Sequence, residues 1–145
     1  MTYQLGNKSL QKLEGVHPDL VAVVKLAITL TEQDFSVGEG LRTVERQKKL
    51  VASGKSTTMN SRHITGHAVD LFPYPVSWDW QFFYPIAEAM KQAAEDLGVP
   101  IRWGGNWKVT DIRLWKGTAR EMRDAYSGSF PDGPHLEIPR GFGYD

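Results

Sequence analysis

A chain of 145 residues, 41% hydrophobic and 23% charged, is long enough to bury one core and has the composition of an ordinary soluble globular domain. Seventeen basic side chains balance seventeen acidic ones, which removes any overall electrostatic case for nucleic acid or an anionic membrane surface as a partner. With no cysteine, disulfides and thiolate metal sites are excluded, so any metal must be held by His, Asp or Glu.

The first fifteen residues lack the basic segment and apolar run of a signal peptide, and synthesis as a soluble cytoplasmic protein is expected. The longest apolar-rich window, residues 20–30, is too short and too interrupted for membrane insertion. Pro18 and Asp19 precede Leu20, Val23, Val24, Ala27 and Leu30, a stripe that predicts a helix with proline in a permitted first-turn position. Residues 34–37 read as a short strand leading into Gly38-Glu39-Gly40-Leu41-Arg42. Thr43 is the expected N-cap of a helix over 44–52, with Glu45 suited to its positive end and Gly54 closing it. Lys48 and Lys49 belong to its solvated face.

Residues 68–72 have strand character and stop at Pro73. A helix is predicted over about 81–97, closed by Gly98. Pro85 must lie in its first turn, which moves the start later. Residues 101–103 read as a strand. The stretch 106–131 carries no clear pattern apart from a short helix near 121–126, and residues 135–138 alternate as a half-buried strand does. Strands with interspersed helices and no sustained βαβ rhythm favour an α+β fold in a single domain spanning 1–145, with no appended repeat or second domain expected.

The segment from Ser61 to Asp70, read with Asp132-Gly133-Pro134-His135, offers two imidazoles and two carboxylates. Catalytic zinc commonly takes three protein ligands and leaves a fourth position to water. His63, Asp70 and His135 are the expected ligands. On one uninterrupted strand the seven-residue separation of His63 and Asp70 would place them on opposite faces, so a turn at or near Gly66 is required. Zinc would lower the pKa of bound water to about 7 and polarise a carbonyl. Asp132 is then the carboxylate placed to take a proton from water and return it to a leaving nitrogen. Arg42, after a glycine-rich bend, is the expected stabiliser of the oxyanion, a salt bridge to an acidic residue being the alternative.

Plainer readings apply elsewhere. His17, beside Pro18, reads as a structural residue, and His67 reads as one in preference to a ligand despite its i,i+4 spacing from His63. Glu137 alternates with His135 and suits a supporting salt bridge. Trp103 and Trp107 flank Gly104-Gly105-Asn106; core packing accounts for either, and Trp103 is the expected wall of a substrate groove.

Ser61-x-His63-x-x-Gly66-x-Ala68-x-Asp70 followed by Asp132-x-x-His135 resembles the zinc peptidases that include D-alanyl-D-alanine carboxypeptidases and phage L-alanyl-D-glutamate endopeptidases. The segment Gly40-Leu41-Arg42-Thr43 with Gln47 downstream, and Trp103-Gly104-Gly105-Asn106-Trp107, carry the likeness over roughly residues 16–138, nearest to small bacteriophage endolysins. The resemblance implies zinc on His63, Asp70 and His135, Asp132 as catalytic base, Arg42 on substrate or oxyanion, and Ser61 as a substrate contact. It implies a small antiparallel sheet carrying the metal and flanked by helices. The partner it implies is the peptidoglycan stem peptide, which would be cut between L-alanine and D-glutamate by zinc-activated water. The enzyme would be a monomer that accumulates in the host cytoplasm and reaches the wall through a holin-made lesion. Many relatives have aspartate at the position of Asn106 and a shorter run to the last histidine, so residues 108–131 are expected to add a lid or groove wall. Alternatives are a D-alanyl-D-alanine carboxypeptidase or dipeptidase on the same metal, and a non-catalytic, zinc-stabilised wall-binding module.

Overall fold

His17 starts the first long helix by accepting a hydrogen bond from the Asp19 amide on Nδ1 at 3.0 Å, which satisfies one orphan donor of the helix end. In this computed structural model, which describes residues 2–144, that helix is α2 (Pro18–Leu30), preceded by α1 (Asn7–Lys12). Leu20, Val23, Val24, Ala27 and Ile28 form its buried face. β1 (Phe35–Glu39) follows, then α3 (Val44–Ala52), where the Thr43 hydroxyl accepts from the Arg46 amide at 3.0 Å.

β2 (Ala68–Pro73) leads through a loop and a 3-10 turn, Trp80–Phe82, into α4 (Phe83–Leu97). The helix starts two residues later than expected because Asp79 caps the 3-10 turn at the Gln81 amide, and Pro85 then falls in the first α-turn. Gly98, at φ +69, closes it. Alanines 87, 89, 93 and 94 are buried with Met90, a narrow face on which α2 packs. The remaining elements are β3 (Arg102–Trp103), a 3-10 turn Ile112–Leu114, α5 (Ala119–Asp124) and β4 (His135–Glu137).

The four strands form one antiparallel open sheet in the order β1-β2-β4-β3. Asp70 pairs with His135, Val69 with Leu136, and Arg102 with Glu137. Because side chains alternate across a strand, Val69, Leu71, Leu136 and Trp103 share the face that enters the core, whereas Asp70, Phe72, His135, Glu137 and Arg102 share the other. The α+β expectation therefore holds, and the register alone brings Asp70 and His135 side by side.

Two elements depart from the sequence reading. α1 is too short for a hydrophobic period to reveal it; its buried Ser9 accepts from the Val37 amide at 3.0 Å and ties the helix to β1. α5 begins earlier than 121, where Thr118 and Glu121 form a reciprocal capping box. Much of the 108–131 stretch is core: Ile112, Ala119 and Met122 are buried, and buried Asn106 donates to the Met122 carbonyl at 2.7 Å. Its last residues reach the groove described below.

Candidate metal centre

His63 is delivered by a tight turn between α3 and β2. The Gly66 amide donates to the His63 carbonyl at 3.2 Å, and the His67 amide to that of Arg62 at 2.9 Å. Gly66 has φ +76, and a Cβ there would run into the Gly15 carbonyl oxygen. The required turn is thus a left-handed glycine against neighbouring backbone, and it lets His63 and Asp70 meet despite their odd spacing.

One donor atom from each of His63, Asp70 and His135 lies within 4.8 Å of the others. Asp70 Oδ1 is 3.2 Å from His63 Nε2 and 3.4 Å from His135 Nδ1. Each imidazole is fixed from behind. His63 Nδ1 lies 2.8 Å from the Gly40 carbonyl, which can only accept, so the proton belongs on Nδ1. His135 Nε2 lies 2.8 Å from Glu137 Oε1. Both rings therefore turn their remaining nitrogen toward Asp70, the atoms that metal ligation would take once any proton there is released.

The electrostatics ask for a cation at the same spot. Burial would raise the Asp70 carboxyl, but its hydrogen bonds to His135 and His63 hold it well below the usual carboxylate range. Burial would lower His135, yet the same contact with Asp70 and that with Glu137 push it up to about 10. A proton thus supplies the positive charge that the buried carboxylate demands. A divalent ion fits this donor set, and two imidazoles with a carboxylate suit zinc among the first-row metals.

Asp132 is positioned by backbone. Its amide donates to the Gly104 carbonyl at 2.8 Å, and its carbonyl accepts from His135 at 3.2 Å. Burial, then the charge of Asp70, raises its pKa against the opposing pull of His135, His63 and Arg42. A carboxyl pushed up in this way retains a proton at higher pH than a free one does, as an acid–base group must.

Arg42 is engaged through all three of its guanidinium nitrogens. Nε and Nη2 donate to the two Glu39 oxygens at 2.7 and 2.8 Å, and Nη1 donates to Gln47 Oε1 at 2.7 Å. Nη2 also stands 3.8 Å from Asp70 Oδ2. Buried Gln47 in turn donates to the Thr58 carbonyl and Ser56 hydroxyl, so it braces both Arg42 and the loop beyond α3. The salt bridge that the sequence reading gave as the alternative is present, and the same guanidinium stands beside the three donors.

A groove of about 830 Å³ runs over the three donors, with Ser61, Trp78, Trp107, Phe130 and Asp132 among its lining. Trp103, the expected groove wall, is fully buried, and its indole N–H donates to the Gly133 carbonyl at 2.7 Å. It braces the turn that carries Asp132 and cannot meet substrate. Trp107 takes the groove position: its ring lies 5.1 Å from that of His135, and its N–H donates to the Phe130 carbonyl at 2.7 Å. His67 bonds to Thr65 and packs on His17, away from the donors.

The family described as phage L-alanyl-D-glutamate peptidase matches residues 1–138. The chain is similar to the L-alanyl-D-glutamate peptidase of Escherichia phage T5, at 30% identity over 145 residues, covering 95% of this chain and 99% of that one. It is also 26% identical to the L-alanyl-D-glutamate peptidase of Listeria phage A118, covering 100% of this chain and 46% of that longer one. The crystal structure of the L-Ala D-Glu endopeptidase ChiX of Serratia marcescens matches with a TM-score of 0.72 and 40% identity, over 91% of this chain and 86% of that one.

Proposed function

Since the chain belongs to the phage L-alanyl-D-glutamate peptidase family, we propose that it is a zinc-dependent endolysin that cuts the peptidoglycan stem between L-alanine and D-glutamate, with His63, Asp70 and His135 as ligands and Asp132 as acid–base catalyst. It is a peptidase, a hydrolase acting on peptidoglycan. The observation that carries the metal is the convergence of His63 Nε2 and His135 Nδ1 on Asp70 Oδ1, with both opposite ring nitrogens already bonded.

When bound, zinc supplies a Lewis acid for the scissile carbonyl and makes water acidic enough to react near neutral pH. The chain's own groups do the rest. Asp132 accepts the proton of the attacking water and delivers it to the departing D-glutamyl nitrogen, so the carboxylate is regenerated each cycle. Arg42, held by Glu39 and Gln47, steadies Asp70 and places positive charge where the carbonyl oxygen gains electrons. Ser61 lines the groove beside His63, whose amide its hydroxyl accepts at 3.2 Å. The groove lining flanks the donors on both the β1 and the β3 side, which suits an internal bond better than a chain end. A monomer acting on the wall after release through a holin lesion completes the proposal.

Digestion of purified peptidoglycan with metal-loaded protein tests it. New D-glutamyl amino termini, lost on exhaustive chelation and restored by zinc, are expected. Released D-alanine instead would identify a carboxypeptidase. Lysis untouched by chelation, or by replacing Asp132 with Asn, would remove the mechanism.

A further inference from the structure

We propose that Arg102 is the residue that selects substrate, by binding the carboxylate left free on the D-glutamyl residue next to the scissile bond. The inference rests on the peptidase reading above. A glutamyl residue has two carboxyl groups; one continues the stem, so the other remains as a free anion within a few bonds of the nitrogen that leaves. An enzyme cutting before D-glutamate gains specificity by meeting that charge.

Arg102 meets three requirements together. It lies on β3 on the same open face as the metal donors, in register with Glu137 and so diagonal to His135, at about the 7–8 Å typical of such neighbours. Its guanidinium is preorganised: Nε and Nη2 both donate to the Trp107 carbonyl, at 2.8 and 2.6 Å, and the group stacks 5.0 Å above the Trp107 ring. That ring meets His135 at a tilt, so guanidinium, indole and imidazole form one contiguous row ending at the candidate metal donors. Finally, Nη1 makes no hydrogen bond among the described residues; Glu137 Oε2 stands 3.9 Å away, near enough to balance charge but not to occupy the donors. The side chain is 32% exposed and lines the groove.

Arg42, Arg62 and Arg46, which share the groove lining, fit less well. Arg42 spends three of its five donors on Glu39 and Gln47. Arg62 donates to the carbonyls of Ile138 and Tyr144. Arg46 is 56% exposed, with an ion-pair partner, Glu39, at 3.7 Å, and would lose more side-chain freedom on binding. A cation already locked in place avoids that loss.

The test compares two soluble muropeptides that differ only in D-glutamate α-carboxylate against α-carboxamide. Metal-loaded wild type should favour the carboxylate by about 10- to 100-fold in kcat/KM, mainly through KM, as loss of a charge-assisted contact present in the ground state predicts. Arg102→Met should bring the two substrates to near parity with zinc content unchanged, and Arg102→Lys should keep part of the preference. Equal cleavage of both by wild type overturns the inference, as does an Arg102→Met enzyme that loses equally on both, which marks a bracing role through Trp107. If Arg102→Met does not fold, the wild-type ratio and the lysine variant decide. Wild type that cuts neither peptide brings down the peptidase reading itself.

Discussion

Glu137 Oε1 lies 2.8 Å from His135 Nε2, on the side of the imidazole opposite Asp70, so two carboxylates grip one ring from its two nitrogens. Glu137 is itself buried and paired at a distance with Arg102. This contact chooses which nitrogen of His135 keeps the proton and which is offered to a metal. Glu137→Gln should therefore keep the fold but weaken zinc binding about 10- to 100-fold, read by chelator competition. Unchanged affinity would show that the orientation comes from packing against Trp107 alone.

Asp132→Asn leaves the Gly104 and His135 backbone contacts intact while removing the group that holds a proton. The expected result is full zinc content, unchanged thermal stability and a kcat lower by about 10²–10⁴-fold. An asparagine enzyme with wild-type turnover would move the acid–base role elsewhere.

In the metal-free protein the folded-state pKa of His135 stands at about 10, above the ordinary 6.5. A raised pKa means the folded state binds the extra proton, so the stability it brings is fully present below about 6.5 and is lost as the pH climbs through 10. Thermal unfolding of chelated protein should show Tm falling across that window. Asp70 acts oppositely: its stabilisation is present above 3.8 and disappears as acid protonates it. Because a metal must displace the His135 proton, zinc affinity should rise with pH through the neutral range, with proton release seen by calorimetry in buffers of differing ionisation heat. Binding without proton release would contradict the geometry.

Gly66→Ala forces a Cβ into a left-handed position and against the Gly15 carbonyl. The backbone conformation alone costs about 1–2 kcal/mol, and the turn carries His63, so both Tm and zinc affinity should drop. Gly54→Ala is the control: its φ is +78, yet nothing lies within 4 Å, so it should lose stability without touching metal affinity. Equal effects of the two on zinc would mean that the Gly66 turn does not position His63.

The long elements were legible because their signals are local. Helix α3 was delimited by Thr43 and Gly54, and α2 by Pro18 and its stripe of Leu20, Val23, Val24 and Ala27. The need for a turn near Gly66 followed from the parity of a strand. The misplacement of the two tryptophans has one physical origin. Trp103 and Trp107 straddle a Gly-Gly bend, and no periodicity relates the faces on its two sides; only the register of β3 on β4 sends the first into the core and leaves the second over His135.

From its sequence alone this protein determined its donor chemistry, two imidazoles and carboxylates with no thiol, and the order of strands and helices that carries them. Tertiary structure decided what those groups do. Pairing of β2 with β4 sets Asp70 against His135, the Gly66 turn swings His63 to meet them, and Arg102, held by the Trp107 carbonyl, keeps Nη1 without a hydrogen bond among the described residues. Residue type is written locally, but orientation arises from strand pairing and turns that join residues as far apart as Asp70 and His135, which no local pattern encodes.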